Sequence, residues 1–359
     1  MKNPWASLRK HTSVEGTSAR DLSLDPTGKH LGISEIGLTL VYLGLGMASA
    51  FVWTRIADLQ AFPTWHSSMI GGTALAPNQY RMLTPWIAEI LSRAMRTAYL
   101  PLPYFLVRGL VTGVTLICFD RYLRRLFLPA AAAAGAMFLA AIIPFTFFRV
   151  VQESDPINLL VFILAFWALA AGRDLLLIPI VLVGTLNRET TLMLPAVYML
   201  ARWGDVRPRQ LVLRTALLVA CWAGVYGALI AGYGIKKTYV DMIMVGRNLG
   251  SWRPPVHVAL LFGMGWVLAF VGRSRAPNFL KRTIWLVPPY IIFHYVTAIV
   301  LEVRLFLPLA PIVIPLSIMV LFPETTITLC DRSVQAMDRA AQAHTEHEDR
   351  ACSSKERLD

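Results

Sequence analysis

Charge is what this sequence has least of. Asp, Glu, Lys and Arg make up 16% of its 359 residues, against about 25% in a soluble domain. With 56% hydrophobic residues and a mean hydropathy of +0.54, that deficit excludes an ordinary water-soluble globule and predicts an all-α, polytopic membrane protein. Cysteine is scarce too. Cys118 and Cys221 lie in apolar runs and Cys330 and Cys352 in the C-terminal stretch, with neither metal-ligand spacing nor a disulfide framework. No apolar run begins before Gly32, so no cleavable signal peptide is expected. A basic–aromatic nucleic-acid module is also lacking. The net charge of +12 is therefore assigned to loops on the cytoplasmic side of a membrane, not to a nucleic-acid partner.

What is present is a series of apolar runs, and they predict about 10 membrane helices. Eight are ordinary spans: Gly32–Trp53, Leu102–Phe119, Phe127–Phe148, Ile157–Ala171, Gln210–Tyr233, Val256–Val271, Thr283–Leu301 and Leu305–Phe322. The other two form a short broken pair within Leu175–Ala201, interrupted by the polar triplet Asn187-Arg188-Glu189. Twelve residues, Leu175 to Leu186, reach about 18 Å as a helix, while a bilayer core is about 30 Å thick. The triplet is therefore expected at the turn of a hairpin, where an intramembrane Arg and Glu must be paired, wetted or used. The expected organisation is a polar cytoplasmic arm over 1–31, a transmembrane domain over 32–322 and a polar cytoplasmic tail over 323–359, partly helical around Ser333–Ala343.

Within the 54–101 segment an amphipathic helix is predicted over 84–98. Thr84-Pro85 resembles a hydroxyl cap followed by proline at the first helical position. Leu83, Ile87, Ile90, Leu91, Ala94, Met95 and Ala98 form its apolar stripe, and Glu89 and Arg93 make a favourable i,i+4 pair. This helix is expected to lie on the membrane surface.

Orientation follows from the basic residues. With both termini cytoplasmic, 22 of the 34 Lys and Arg fall on the inner side. The expected location is the plasma (inner) membrane. The charged residues nearest the membrane then gather on the outer face. Asp58, Glu153, Asp155 and Glu189 are candidate catalytic carboxylates. Arg81, Asn187, Arg188, Lys236, Lys237, Glu302 and Arg304 are candidate substrate-binding residues. Carboxylates can take a proton from a hydroxyl or hold a metal, while Arg and Lys can hold a phosphate leaving group.

Structural roles compete with each of these. Asp58 is also readable as a solvated helix end. Asp155-Pro156 fits a helix cap, and Glu153 and Asp155, two apart, share a side of an extended loop. Arg188–Glu189 could close the hairpin as a salt bridge, and Glu302 and Arg304 could pair only with it. Lys236, Lys237 and Arg253 read as solvated loop charges. His257 and His294 read as buried, satisfied histidines.

The layout resembles the GT-C superfamily of integral-membrane glycosyltransferases that use polyprenyl-phosphate-linked sugars. The resemblance rests on an acidic residue after the first span (TRIADLQAF), the surface helix (YRMLTPWIAEILSRAMR), a second acidic motif (QESDPINLLVFILAFWAL), the polar helix-pair turn (GTLNRETTLMLP) and a charged turn (LEVRLFLPLAP), over roughly 32–322. It implies that Asp58 is a catalytic base and that Glu153 or Asp155 serves the donor or a divalent cation such as Mg or Mn. It further implies that Arg188, Arg304 and Lys236-Lys237 hold the lipid phosphate, with the lipid-linked sugar donor and membrane lipids as partners. The chain departs from the family in having a single first-loop acid and no large extramembrane domain. Two other readings stay open: a transporter or lipid flippase using the broken helices, although no internal repeat is visible, and a non-catalytic assembly subunit.

Overall fold

The computed structural model describes residues 35–147, 152–238 and 243–325. The polar arm over 1–31 and the helical part of the tail lie outside these residues. The chain divides into two units, residues 1–38 and 39–359. Of the first unit, only the opening turn of a helix is described. Among the described residues every regular element is helical, and the one isolated bridge is Ala76–Thr238, parallel.

In chain order the helices are α1 Glu35–Ile56, α2 Ala61–Ile70, α3 Leu83–Met95, α4 Pro101–Leu123, α5 Pro129–Ile142, α6 Asp155–Ala170, α7 Leu177–Asn187, α8 Met193–Arg202, α9 Pro208–Tyr233, α10 Val245–Leu249, α11 Arg253–Phe262, α12 Gly265–Gly272, α13 Asn278–Thr283, α14 Val287–Thr297 and α15 Ala310–Leu321. Proline opens α4, α5 and α9, where its missing N–H is no loss.

Among the described residues, five helical stretches are long and apolar enough to cross a membrane: α1, α4, Pro129–Thr146, α9 and Val303–Leu321. A sixth is the pair α11 and α12, bent by 57° at its break. Gly263 allows that bend: its φ of +52° is open to glycine and strained for other residues. The helix α6, 16 residues and about 24 Å long, is shorter than the bilayer core. Val303–Leu321 is buried along almost its whole length, whereas α9 buries little and exposes Val212, Leu213 and Leu217. An apolar face of that extent in water would be an aggregation surface, and lipid is the solvent that suits it.

The segment 54–101 holds two helices rather than one. Phe62, Trp65, His66 and Met69 recur at helical spacing along α2 and turn Phe62, His66 and Met69 inward. The cap expected at Thr84 is not formed: α3 starts one residue earlier, and the Thr84 hydroxyl donates to Asn187 Oδ1 at 3.0 Å instead. The face that α3 buries is Thr84, Pro85, Ala88 and Ser92, while Ile87 and Ile90 of the apolar stripe stay exposed. Ile87 and Ile90 thus face outward, while Trp86 of the same helix packs against the cluster of Met69, Tyr80, Met82 and Leu229.

Three packing relations position the site. First, α1 and α4 approach until a Cβ on Gly46 would lie 2.4 Å from the Gly109 carbonyl oxygen. Gly109 and Gly113, four apart, supply the space on α4. Second, α4 runs along α6. Third, α7 and α8 form the hairpin. Arg202 Nε donates to both carboxylate oxygens of Asp174 at 3.0 and 3.1 Å, which closes one end. At the other end the helix breaks at Arg188, whose backbone is extended at φ −162° and ψ 138°.

Candidate functional site

Four arginines and four carboxylates meet where α6 begins and α7 ends. Arg108, seven residues into α4, reaches Glu153 Oε2 through Nε at 3.3 Å and an Nη at 3.1 Å, and the same Nη donates to the Gln152 carbonyl at 3.2 Å. Its guanidinium lies 4.1 Å from the centroid of the Trp53 ring. Arg81 grips Glu189 with two hydrogen bonds, Nε to Oε2 at 3.0 Å and Nη2 to Oε1, and donates to the Gln152 side chain at 3.2 Å. Gln152 therefore joins the two pairs. Arg188 donates to Asp155 Oδ1, and Arg304 Nε stands 3.4 Å from Asp155 Oδ2 while its Nη2 donates to Glu302. All four arginines are buried, Arg188 to 2% exposure. Four positive charges meet four negative ones, and that balance lets such a cluster persist away from bulk water.

The sequence dictates this locally through the break at Arg188. An extended residue sends successive side chains to opposite sides, so Arg188 turns to α6 and Glu189 to Arg81. Asn187 fixes the turn from below: it is fully buried, accepts from Thr84 and donates to the Ser154 carbonyl at 2.8 Å. From α9, Trp222 Nε1 donates to the Glu189 carbonyl at 3.1 Å, and Tyr226 stacks on Trp222 at 5.0 Å.

Beside this network is a cavity of about 490 Å³. Arg81, Arg188, Glu189 and Glu302 supply its charged wall, and Trp222 and Tyr226 an aromatic one. Arg188 Nε and Glu153 Oε1 have no hydrogen-bond partner among the described residues. Arg188 is also one of the cavity's lining residues, and a guanidinium in that position suits an anion. A second, almost wholly apolar cavity of about 930 Å³ includes Val303, the residue between Glu302 and Arg304.

The structure brings together Glu153, Asp155, Glu189, Arg81, Asn187, Arg188, Glu302 and Arg304. It does not bring Asp58 there. Asp58 is exposed, accepts from the Gln60 amide at 3.2 Å at the start of α2, and is not among the cavity's lining residues. Lys236 is half-buried and Lys237 exposed, and neither lines the cavity. Their backbone matters instead: the Lys237 carbonyl accepts from Ala76 at 2.9 Å and the Lys236 amide donates to the Tyr80 hydroxyl at 3.1 Å.

Several expectations are corrected. Asp155 opens α6 without capping it, because both of its oxygens face guanidiniums. Glu153 and Asp155 do not share a side: one turns to Arg108, the other to Arg188 and Arg304. Arg188 and Glu189 do not pair with each other. Glu302 and Arg304 do not pair with Arg188–Glu189: Arg304 pairs with Glu302 and continues on to Asp155. His257 is exposed, while His294 is buried and lines the cavity. The residues that sequence reasoning missed are Arg108, Gln152, Trp222 and Tyr226. A lone arginine inside an apolar run was the available signal for the first; the others carry none.

A divalent cation does not fit the Glu153–Asp155 pair. Glu153 Oε2 and both Asp155 oxygens are already matched to guanidiniums, and a further positive charge among Arg108, Arg188 and Arg304 would be repelled.

Two of the acids are shifted in opposite directions. Burial would raise the Glu189 carboxyl, but Arg81, Arg188 and a backbone hydrogen bond together hold it below the usual range. Burial pushes Glu153 up in spite of Arg108. Away from the cavity, hydrogen bonds from His66 and Arg93 hold Glu89 low. A depressed folded-state value contributes stability that is complete above the unfolded value, about 4.3 for Glu, and that is lost as pH falls through the folded value. Unfolding measured between pH 6 and 3 should therefore show the wild type losing stability on acidification below about pH 4. Glu189→Gln should lose less over the same window. Parallel curves would show that Arg81 does not stabilise the ionised carboxylate.

No family model matches the chain, no curated protein matches it, and no solved structure matches it.

Proposed function

We propose that this protein is a membrane glycosyltransferase of GT-C-like architecture, moving a sugar from a polyprenyl-(di)phosphate carrier to an acceptor hydroxyl. In this reading about ten helices lie in the plasma (inner) membrane, the shorter ones included. Both termini are cytoplasmic and the cavity opens at the outer face. One observation carries it: a buried guanidinium, Arg188, shares a 490 Å³ cavity with a carboxylate, Glu302, and an aromatic wall, Trp222 and Tyr226. The apolar cavity whose lining includes Val303 is of a kind that accepts a lipid tail.

The acceptor oxygen attacks the anomeric carbon, the bond from that carbon to the phosphate oxygen breaks, and the polyprenyl (di)phosphate leaves with the electron pair. Arg188 offsets its charge. Both Glu189 oxygens are held by Arg81, so Glu302 is the better base and takes the acceptor proton. The flat Trp222–Tyr226 stack offers the apolar face on which a pyranose ring rests.

The test is native mass spectrometry of the purified protein with polyprenyl phosphate. Wild type should retain one copy and Arg188→Ala should lose it, with Arg188→Lys intermediate because a point charge replaces a fork. Retention indifferent to Arg188 would remove the reading's main support. The bent pair α11–α12 favours a second reading, a lipid flippase. Movement of a labelled carrier lipid across proteoliposomes without sugar transfer would select it.

A further inference from the structure

At the opposite ends of α6 and α7 from the cavity, a second site is built from different chemistry. A groove of about 270 Å³ runs between the last turns of α6, the start of α7 and the residues following α4. Trp167, Leu176, Pro179 and Ile180 supply apolar walls, and Arg125 and Arg173 are its charged lining residues. Both arginines are exposed.

The neighbouring acids are already committed. Asp120 accepts from Arg124 at 2.6 Å and from the Tyr42 hydroxyl at 3.2 Å. Asp174 is held by Arg202 and stands 3.6 Å from Arg214. Arg125 and Arg173 have no acidic partner among the described residues. Two unneutralised guanidiniums over an apolar groove, at an end of helices that lie in a membrane, match a ligand with an anionic head and a hydrocarbon tail. Fixing Arg173 there falls to Gly172, whose φ of +69° ends α6 and turns the chain back.

We propose that this groove binds one anionic glycerophospholipid of the cytoplasmic leaflet, its phosphate between Arg125 and Arg173 and an acyl chain along Trp167 and Leu176. The proposal rests on the membrane-spanning reading but not on sugar transfer. A net-anionic lipid is selected over a zwitterionic one because the two positive charges have no internal partner, and cytoplasmic-side basic grooves between helices are suited to such heads.

The experiment uses the full-length protein in detergent, with native mass spectrometry after adding phosphatidylglycerol, phosphatidylcholine or inorganic phosphate. Wild type should hold one phosphatidylglycerol in preference to phosphatidylcholine, and millimolar phosphate should not displace it. Each guanidinium near a membrane surface contributes about fivefold. Arg125→Gln/Arg173→Gln should therefore bind about 30-fold more weakly, and Arg209→Gln, an exposed control, should bind like wild type. Leu176→Glu should also lose the lipid with both arginines intact, which separates a groove from a mere charge patch. Equal retention of both lipids, retention unchanged in the double variant, or displacement by free phosphate would each overturn the proposal. If the protein instead fractionates as soluble without detergent, the membrane-spanning reading has failed, and that outcome is visible before any lipid is added.

Discussion

Arg108→Met alone is expected to destabilise the protein by about 3–5 kcal/mol, because it strands Glu153 as a buried, uncompensated carboxylate. Glu153→Met should cost a similar amount by stranding Arg108. The double variant Arg108→Met/Glu153→Met should recover most of the loss, since replacing a whole buried pair with apolar residues is near neutral. Chemical unfolding in detergent would measure all three, and the double-mutant cycle isolates the coupling. Additive losses would mean that the pair is not a unit. The Trp53 ring against the guanidinium predicts a remainder, as stacking of a cation on an aromatic face adds about 0.5–2 kcal/mol. Arg108→Lys should therefore fall between wild type and Arg108→Met, keeping the charge and losing the planar fork.

Glu302→Gln should lower turnover by about 10²–10⁴-fold, the range for loss of a positioned general base, with little change in donor retention. Retention and turnover separate the two proposed roles: Arg188 holds the leaving group, while Glu302 accepts a proton only when the acceptor reacts. A reduced turnover accompanied by an equal loss of donor binding would place Glu302 in binding alone. Glu302→Asp keeps the carboxylate but shortens its reach, and should recover part of the rate. Asp58→Asn serves as a comparison. The exposed Asp58 at the start of α2 is outside the cavity lining, so this variant should retain turnover close to wild type, measured in the same assay.

One short stretch of chain touches both cavities and the ion-pair network. Glu302, Val303 and Arg304 are consecutive, yet Glu302 lines the charged cavity, Val303 the apolar one, and Arg304 reaches Asp155 at the start of α6. A carrier lipid with its phosphate at Arg188 and its tail toward Val303 would touch the two functions through one turn of chain.

Much of this is legible from residues alone. The apolar runs locate the helices, and the short run from Leu175 with its polar triplet locates the hairpin. Arg188, Glu189, Asp155, Arg81 and Arg304 all stand out as charges within or beside apolar runs. These features are readable because each is local: an apolar run's length decides whether it can span, and a charge inside such a run requires a partner. Partner choice is not legible. Arg188 pairs with Asp155, 33 residues away, and Arg81 with Glu189, 108 away, rather than with the charges next to them in sequence. Asp58 illustrates the same limit: its position after the first span is clear, but whether the chain carries it to the cavity depends on α2, which lies between Asp58 and the rest of the segment.

Sequence by itself determined that the chain is helical, that several helices match a bilayer in length and apolarity, and which charged residues stand beside them. Tertiary structure alone decided which arginine neutralises which acid, that α3 leaves Ile87 and Ile90 exposed, and that Trp222 and Tyr226 wall the cavity. The reason is range. Helix formation and burial preference are summed over neighbours along the chain, whereas a buried ion pair is settled by which ends of α4, α6, α7 and Val303–Leu309 meet.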